Sequence, residues 1–299
     1  MSTTVALVPN PPGTLAGPAT PAPAAADPAR RGAKAGSKSR SGAKSGARSA
    51  AKRPPAVSPI PRFALIVGAM KSGTTTLYDY LVTHPAIAGC ARKEPNFFSS
   101  RNGRGGPKRY AEGWADFDPA RHRYALEASV DYTKHPRHPM VARRIAAFPA
   151  EFKFIYIMRD PIDRIESHIA HNIAKGRVTA RDYAAMMEGA ISTSRYGYQL
   201  DTFRAPLGNP EMLLLDFEDL KREPLALLDR VTDFLGLERF AFEHRPPSNT
   251  RRASSADFRL PRAERAALHA ALAGDMADFA RDYGFDVAHW GFGAGPGGR

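Results

Sequence analysis

The stretch Phe63-Ala-Leu-Ile-Val-Gly-Ala-Met-Lys71-Ser-Gly-Thr-Thr-Thr-Leu77 decides the fold. Its five apolar residues, Phe63 to Val67, make the kind of run that fills a strand buried on both faces. Gly68, Ala69, Lys71, Ser72 and Gly73 then form a small-residue turn, and Thr74 to Thr76 open a helix continuing through Leu77, Tyr80 and Leu81. Strand, glycine turn and helix start together cradle an anion, because the first N–H groups of a helix are unpaired and carry partial positive charge. Lys71 adds a full charge and the threonines add donors. The usual nucleoside-triphosphate loop sets its lysine directly after the second glycine. Here Lys71 precedes Gly73 and Thr74 follows it. An ordinary glycine turn between strand and helix would share part of this spelling.

Outward from that stretch, apolar runs alternate with helical patterns, which argues for βαβ units and a parallel sheet. The expected strands are Phe63–Val67, Ala86–Gly89, Tyr124–Glu127, Phe152–Met158 and Met212–Asp216. The expected helices are Thr74–Thr83, Pro139–Phe148, Ile162–Lys175, Ala180–Ser192 and Leu225–Leu235, the last with Gly236 as C-cap. Arg262–Ala273 and Asp275–Tyr283 read as a closing pair of helices. Residues 101–123 and 244–261, rich in Arg, Gly, Pro and Ser, read as long loops.

The chain has 299 residues and a formal charge of +13. Residues 1–62 hold ten Lys/Arg and one Asp, +9 of that total, which leaves +4 for residues 63–299. The pI near 10 therefore does not signal a nucleic-acid-binding fold. Residues 1–60 are a Pro/Ala-rich and then basic tail, read as disordered because it cannot bury enough apolar surface to offset its ordering entropy. Charge alone would let it make weak contact with an anionic surface. The body is assigned to 61–290 and a Gly-rich flexible C-terminus to 291–299. No apolar run is long enough for a membrane helix, and the N-terminus lacks a secretory pattern. Cys90 is the single cysteine, so no disulfide forms within the chain. These features suggest a cytoplasmic protein.

Two further constellations carry chemistry. Phe154-Ile-Tyr-Ile-Met-Arg159-Asp-Pro161 delivers an arginine at a strand end, with a proline suited to the first turn of the next helix. Ligands of open α/β sheets bind outside the carboxyl ends of strands, so Arg159 emerges on the rim that carries the glycine turn. Ser167, eight residues on, can share one anion with it. Alternatively Arg159 is an ion-paired cap. Lys93-Glu94-Pro-Asn-Phe-Phe98 sets a carboxylate at the end of the second strand. Glu94 could take a hydroxyl proton if its surroundings raise its pKa, or it could be half of a surface ion pair. His84 reads as a turn residue. Asp216, Glu218 and Asp219 read as caps and braces, and no metal-site spacing stands out.

Taken in order, Lys71-Ser-Gly-Thr, Lys93-Glu-Pro-x-Phe-Phe, and Arg159-x-Pro with Ser167 resemble the sulfotransferase family that uses 3′-phosphoadenosine 5′-phosphosulfate (PAPS). The Lys-Glu-Pro element is similar to that of the heparan-sulfate and other carbohydrate-type members, and the composition suggests a bacterial one. Arg195-Tyr-Gly-Tyr-Gln-Leu200 and residues 211–237 also resemble family segments. The resemblance covers residues 63 to about 285 and implies a three-layer α/β fold with a central parallel sheet, like P-loop nucleotide kinases. It implies that Lys71, Ser72, Gly73, Thr74 and Thr75 hold the 5′-phosphosulfate. Arg159 and Ser167 would hold the 3′-phosphate, joined by Arg251 and Arg252 from a closing loop. Glu94 would be the base, Lys71 would stabilise the leaving phosphate, and no metal would be needed. Glu127-Ala128-Ser129-Val130-Asp131-Tyr132 departs from the family, with Ala128 where a lysine is expected. Lys93 or Lys134 could substitute.

The implied acceptor is a hydroxyl on a sugar-containing molecule, although the sequence fixes neither its identity nor the oligomeric state. Two rivals stand beside this reading: an ATP- and Mg²⁺-dependent phosphotransferase, and a non-catalytic protein that binds an anionic polymer through its tail.

Overall fold

The computed structural model describes residues 58–100, 105–245 and 258–293. Strand β1 (Arg62–Gly68) lies at the centre of a five-stranded sheet. It is flanked by β3 (Tyr124–Ala128) and β4 (Glu151–Met158), with β2 (Ile87–Gly89) and β5 (Met212–Asp216) outermost. Every pairing is parallel, with Phe63 level with Ala125 on one side and Phe152 on the other. The expected strands are all present, with ends moved by one residue at most.

A strand at the centre of such a sheet needs apolar residues on both faces. Phe63, Leu65 and Val67 enter one core, and Ala64 and Ile66 the other. The second core is closed by α1 (Thr74–Leu81) and α8 (Pro224–Leu235), through Leu77, Leu81, Leu227, Leu228, Val231 and Leu235. The first is closed by α3 (Val141–Ala146), α4 (Pro161–Ala174), α6 (Tyr196–Arg204) and α9 (Arg262–Tyr283). This is the expected three-layer arrangement. Gly236 ends α8 in the left-handed conformation, and Leu237 N–H donates to Thr232 C=O at 2.9 Å. Among the described residues no helix is long and apolar enough to cross a membrane.

The structure corrects the sequence reading in several places. The stretch 101–123, expected to be a loop, contains α2 (Gly106–Ala111) and a 3₁₀ turn, Glu112–Trp114. Tyr110 and Trp114 are buried against Phe63. Two aromatics among polar residues carry little periodic signal, yet each buries a large apolar area. The helix expected at Ala180 begins later, as a 3₁₀ turn at Ala184–Met186 leading into α5 (Met187–Ser194).

The expected closing pair of helices is instead one helix, α9, running through Gly274. Asp275 does not cap a new helix. Its carboxylate accepts from Gly197 N–H at 3.1 Å and Tyr198 N–H at 3.0 Å, at the start of α6. At the C-terminus the packed chain passes the expected boundary at 290, since Phe292 is buried and stacks on His269. At the N-terminus Ile60 is part of the core, inside the segment assigned to the tail. The rest of that tail, residues 1–57, lies outside the described residues.

Candidate functional site

The turn after β1 is shaped by close approach. A Cβ at Gly68 would lie 2.5 Å from the Tyr156 ring and would strike the Thr133 hydroxyl. Gly73 caps α1 at φ +84°, and a Cβ there would lie 2.6 Å from the Phe217 ring. Both glycines are therefore required by space, the second also by backbone conformation. Lys71 is held at φ 72°, a region non-glycine residues rarely enter. Ser72 is completely buried and its Oγ has no hydrogen-bond partner. An orphaned buried hydroxyl at a helix N-terminus suits an anion's oxygen. Thr74 is buried and Thr75 half-buried at the first positions of α1.

Arg159 leaves the C-terminal end of β4 beside that turn, because β1 and β4 are parallel neighbours. Tyr196 OH donates to its carbonyl at 2.8 Å. Asp160 caps α4, accepting from the N–H groups of Ile162 and Asp163, and Pro161 fills the first helical position. The Arg159 guanidinium donates to Asp163 at 3.2 Å, but its Nε is buried and unpartnered. Ser167 is buried two turns further along α4. Arg164, the second arginine of the segment that resembles the family's 3′-phosphate-binding motif, is fully buried. It donates to Ser194 Oγ at 2.6 Å and Ala190 C=O at 2.5 Å, pinning α5 to α4.

The Lys93–Phe98 loop is tied to the end of β3. Glu94 N–H donates to Ala128 C=O at 3.1 Å and Asn96 N–H to Ser129 Oγ at 3.0 Å. Glu94 and Asn96 both take positive φ, 54° and 52°. Such conformations cost energy and persist where the surroundings enforce them. The Glu94 carboxylate is 37% exposed and paired with Lys93 at 3.2 Å. Glu127 is the sealed carboxyl. It takes hydrogen bonds from Tyr110 and Tyr132, the latter at 2.5 Å, and burial pushes its pKa up. It braces the core beneath the rim.

The structure thus brings the Lys71–Thr75 turn and Arg159 to one rim, with the Glu94 loop tied to the end of the neighbouring strand β3, while Ser167 is buried two turns along α4. Arg251 and Arg252 lie outside the described residues. Three site features escaped the sequence reading. Phe217 lies between Gly73 and Arg159, against the first and 5.1 Å from the guanidinium of the second. His168 and His171 on α4 both feel the charge of Lys71. Burial first, then Arg164, Lys134 and Lys71, push the His168 imidazole down to about 3, so it stays neutral. Of the two cations considered in place of the missing lysine, Lys134 pairs with Asp131 at 2.6 Å and Lys93 with Glu94 at 3.2 Å. Spacing could have found the histidines, one turn apart and next to Ser167. Nothing in the sequence pairs Phe217 with Gly73.

A family model described as a sulfotransferase domain matches residues 61–245, more than half the chain. Heparan sulfate glucosamine 3-O-sulfotransferase 3A1 of Mus musculus is 30% identical over 195 residues, 59% of this chain and 46% of that protein. Bifunctional heparan sulfate N-deacetylase/N-sulfotransferase 4 of Mus musculus is 25% identical over 199 residues, 60% of this chain and 22% of the relative. The matches thus span less than half the length of these curated relatives. Among solved structures, a sulfotransferase from Alicyclobacillus acidocaldarius superposes with TM-score 0.61 at 25% identity, over 76% of this chain and 97% of that one.

Proposed function

Because this chain belongs to the sulfotransferase family, we propose that it moves a sulfuryl group from PAPS to an acceptor hydroxyl on a carbohydrate or glycoconjugate. One observation carries the reading. The Lys71–Thr75 turn and Arg159 leave adjacent parallel strands on the same rim, with Phe217 against both, so two anion positions face one ligand. The unpartnered Ser72 Oγ and Arg159 Nε fit phosphate oxygens at its two ends. The relatives named for heparan sulfate support a sugar acceptor.

In this mechanism Lys71 and the α1 N-terminus neutralise charge that gathers on the leaving phosphate as its bond to sulfur breaks. Glu94 takes the proton from the acceptor hydroxyl as that oxygen bonds to sulfur. Arg159 and Ser167 hold the 3′-phosphate, so that binding away from the reacting centre fixes the geometry of transfer. Lys134 supplies the positive charge that Ala128 cannot.

Binding of 3′,5′-adenosine bisphosphate without Mg²⁺, and label passing from PAPS to a product in a whole-cell extract, are the expected results. Glu94→Gln should lower turnover about 10²-fold with affinity for the bisphosphate unchanged. Unchanged turnover would remove Glu94 as the base, and nucleotide binding that needs Mg²⁺ and ATP would favour phosphoryl transfer.

A further inference from the structure

Beyond the stretch shared with the family, the chain returns to the rim it left. The 3₁₀ turn Ala288–Trp290 brings His289 to the end of β5, where His289 Nε2 is hydrogen-bonded to Asp216 Oδ2. The other oxygen of that carboxylate, Oδ1, accepts from Glu218 N–H at 2.7 Å and caps α7 (Phe217–Arg222). Asp216 is largely buried, whereas the His289 side chain is 41% exposed, so water reaches the pair from the histidine side only. The first residue of the capped helix is Phe217.

That ring separates the two anion positions. One edge meets Gly73 so closely that no Cβ fits, its face lies 5.1 Å from the Arg159 guanidinium, and Lys221 approaches it at 5.5 Å. The position of α7 therefore sets where Phe217 stands, and Phe217 bounds both the phosphosulfate turn and the 3′-phosphate arginine. We propose that His289 is a positioning residue of the donor pocket, acting through Asp216 and Phe217 to fix the separation of its two anion sites. It touches neither donor nor acceptor. The inference rests on the donor-pocket reading above.

The rest of the C-terminal segment provides a control. His269 Nε2 and Gly291 C=O lie 2.8 Å apart, and the imidazole stacks on Phe292 at 4.1 Å, which anchors the same segment without contact to Asp216. Titration of 3′,5′-adenosine bisphosphate into the full chain and its variants separates the possibilities. His289→Ala should weaken binding about tenfold, the scale of one charge-assisted hydrogen bond. His289→Gln keeps an N–H donor and should restore most of the affinity, and His269→Ala should bind like the wild type. With PAPS as varied substrate, His289→Ala should raise KM for PAPS while kcat at saturation and KM for acceptor hold. If His289→Ala does not fold, Asp216→Asn carries the same test, since it keeps the α7 cap and loses the acceptor for Nε2–H. Wild-type affinity in His289→Ala, or an equal loss in His269→Ala, overturns the inference alone. A wild-type chain with no affinity for the bisphosphate overturns the donor pocket and this inference with it.

Discussion

Glu127 shows how the fold, and not the neighbours in the chain, decides the surroundings of a carboxyl. Its neighbours resemble a segment beside the reacting centre, yet its carboxyl is buried beneath the rim and held by two tyrosines. Burial raises its pKa above 4.5, and hydrogen bonds from Ser129, Tyr110 and Tyr132 only partly oppose this. A carboxyl whose folded pKa exceeds its unfolded one stabilises the fold below the unfolded value and loses that contribution as pH rises through the folded value. The Tm of Glu127→Gln should therefore rise relative to wild type as pH is raised above 4.5. A gap that does not change with pH would show that Glu127 gains no proton on folding. Lys71, Glu94, Arg159 and Ser167 were legible because each sits at a strand end or on the following helix, where local spelling fixes position. His168 was passed over because its interest lies in what surrounds it: Lys71 and Lys134 come from two other loops.

At the scale of elements, the parallel strands were readable because burial on both faces demands continuous apolar runs, and those runs have visible ends. Helices were less legible wherever a polar residue serves a partner. Gly274-Asp275 looks like a break, and would be one in isolation. In the fold Asp275 satisfies the N-terminus of α6, so α9 continues through the glycine. A Cβ at Gly274 would meet nothing within 4 Å. Gly274→Ala should then stabilise the protein by about 0.5–1 kcal/mol, read from denaturant midpoints. A destabilised Gly274→Ala would mean that α9 needs a flexible point there. A Cβ at Gly197 would lie 3.3 Å from the Asp275 carbonyl oxygen, so α6 and α9 leave little room for a side chain at their crossing.

For the whole molecule, the charge and the chemistry separate along the chain. Most of the excess positive charge precedes residue 63, while the rim of the sheet carries the groups proposed to bind the donor. Removal of residues 1–57, which spares the buried Ser58 and Ile60, should leave affinity for 3′,5′-adenosine bisphosphate within about twofold, as expected for sites that share no partners. A larger loss, measured by the same titration, would make the basic tail part of the donor site. The sequence alone determined the sheet, the glycine turn after β1 and the order of the rim residues, because strand burial, glycine turns and helix starts are set by neighbours in the chain. Only the tertiary structure decided that Phe217 stands between Gly73 and Arg159, that Glu127 is buried between two tyrosines, and that His289 reaches Asp216. Those contacts join residues far apart in the chain, and no local pattern encodes which of them the packed core will bring together.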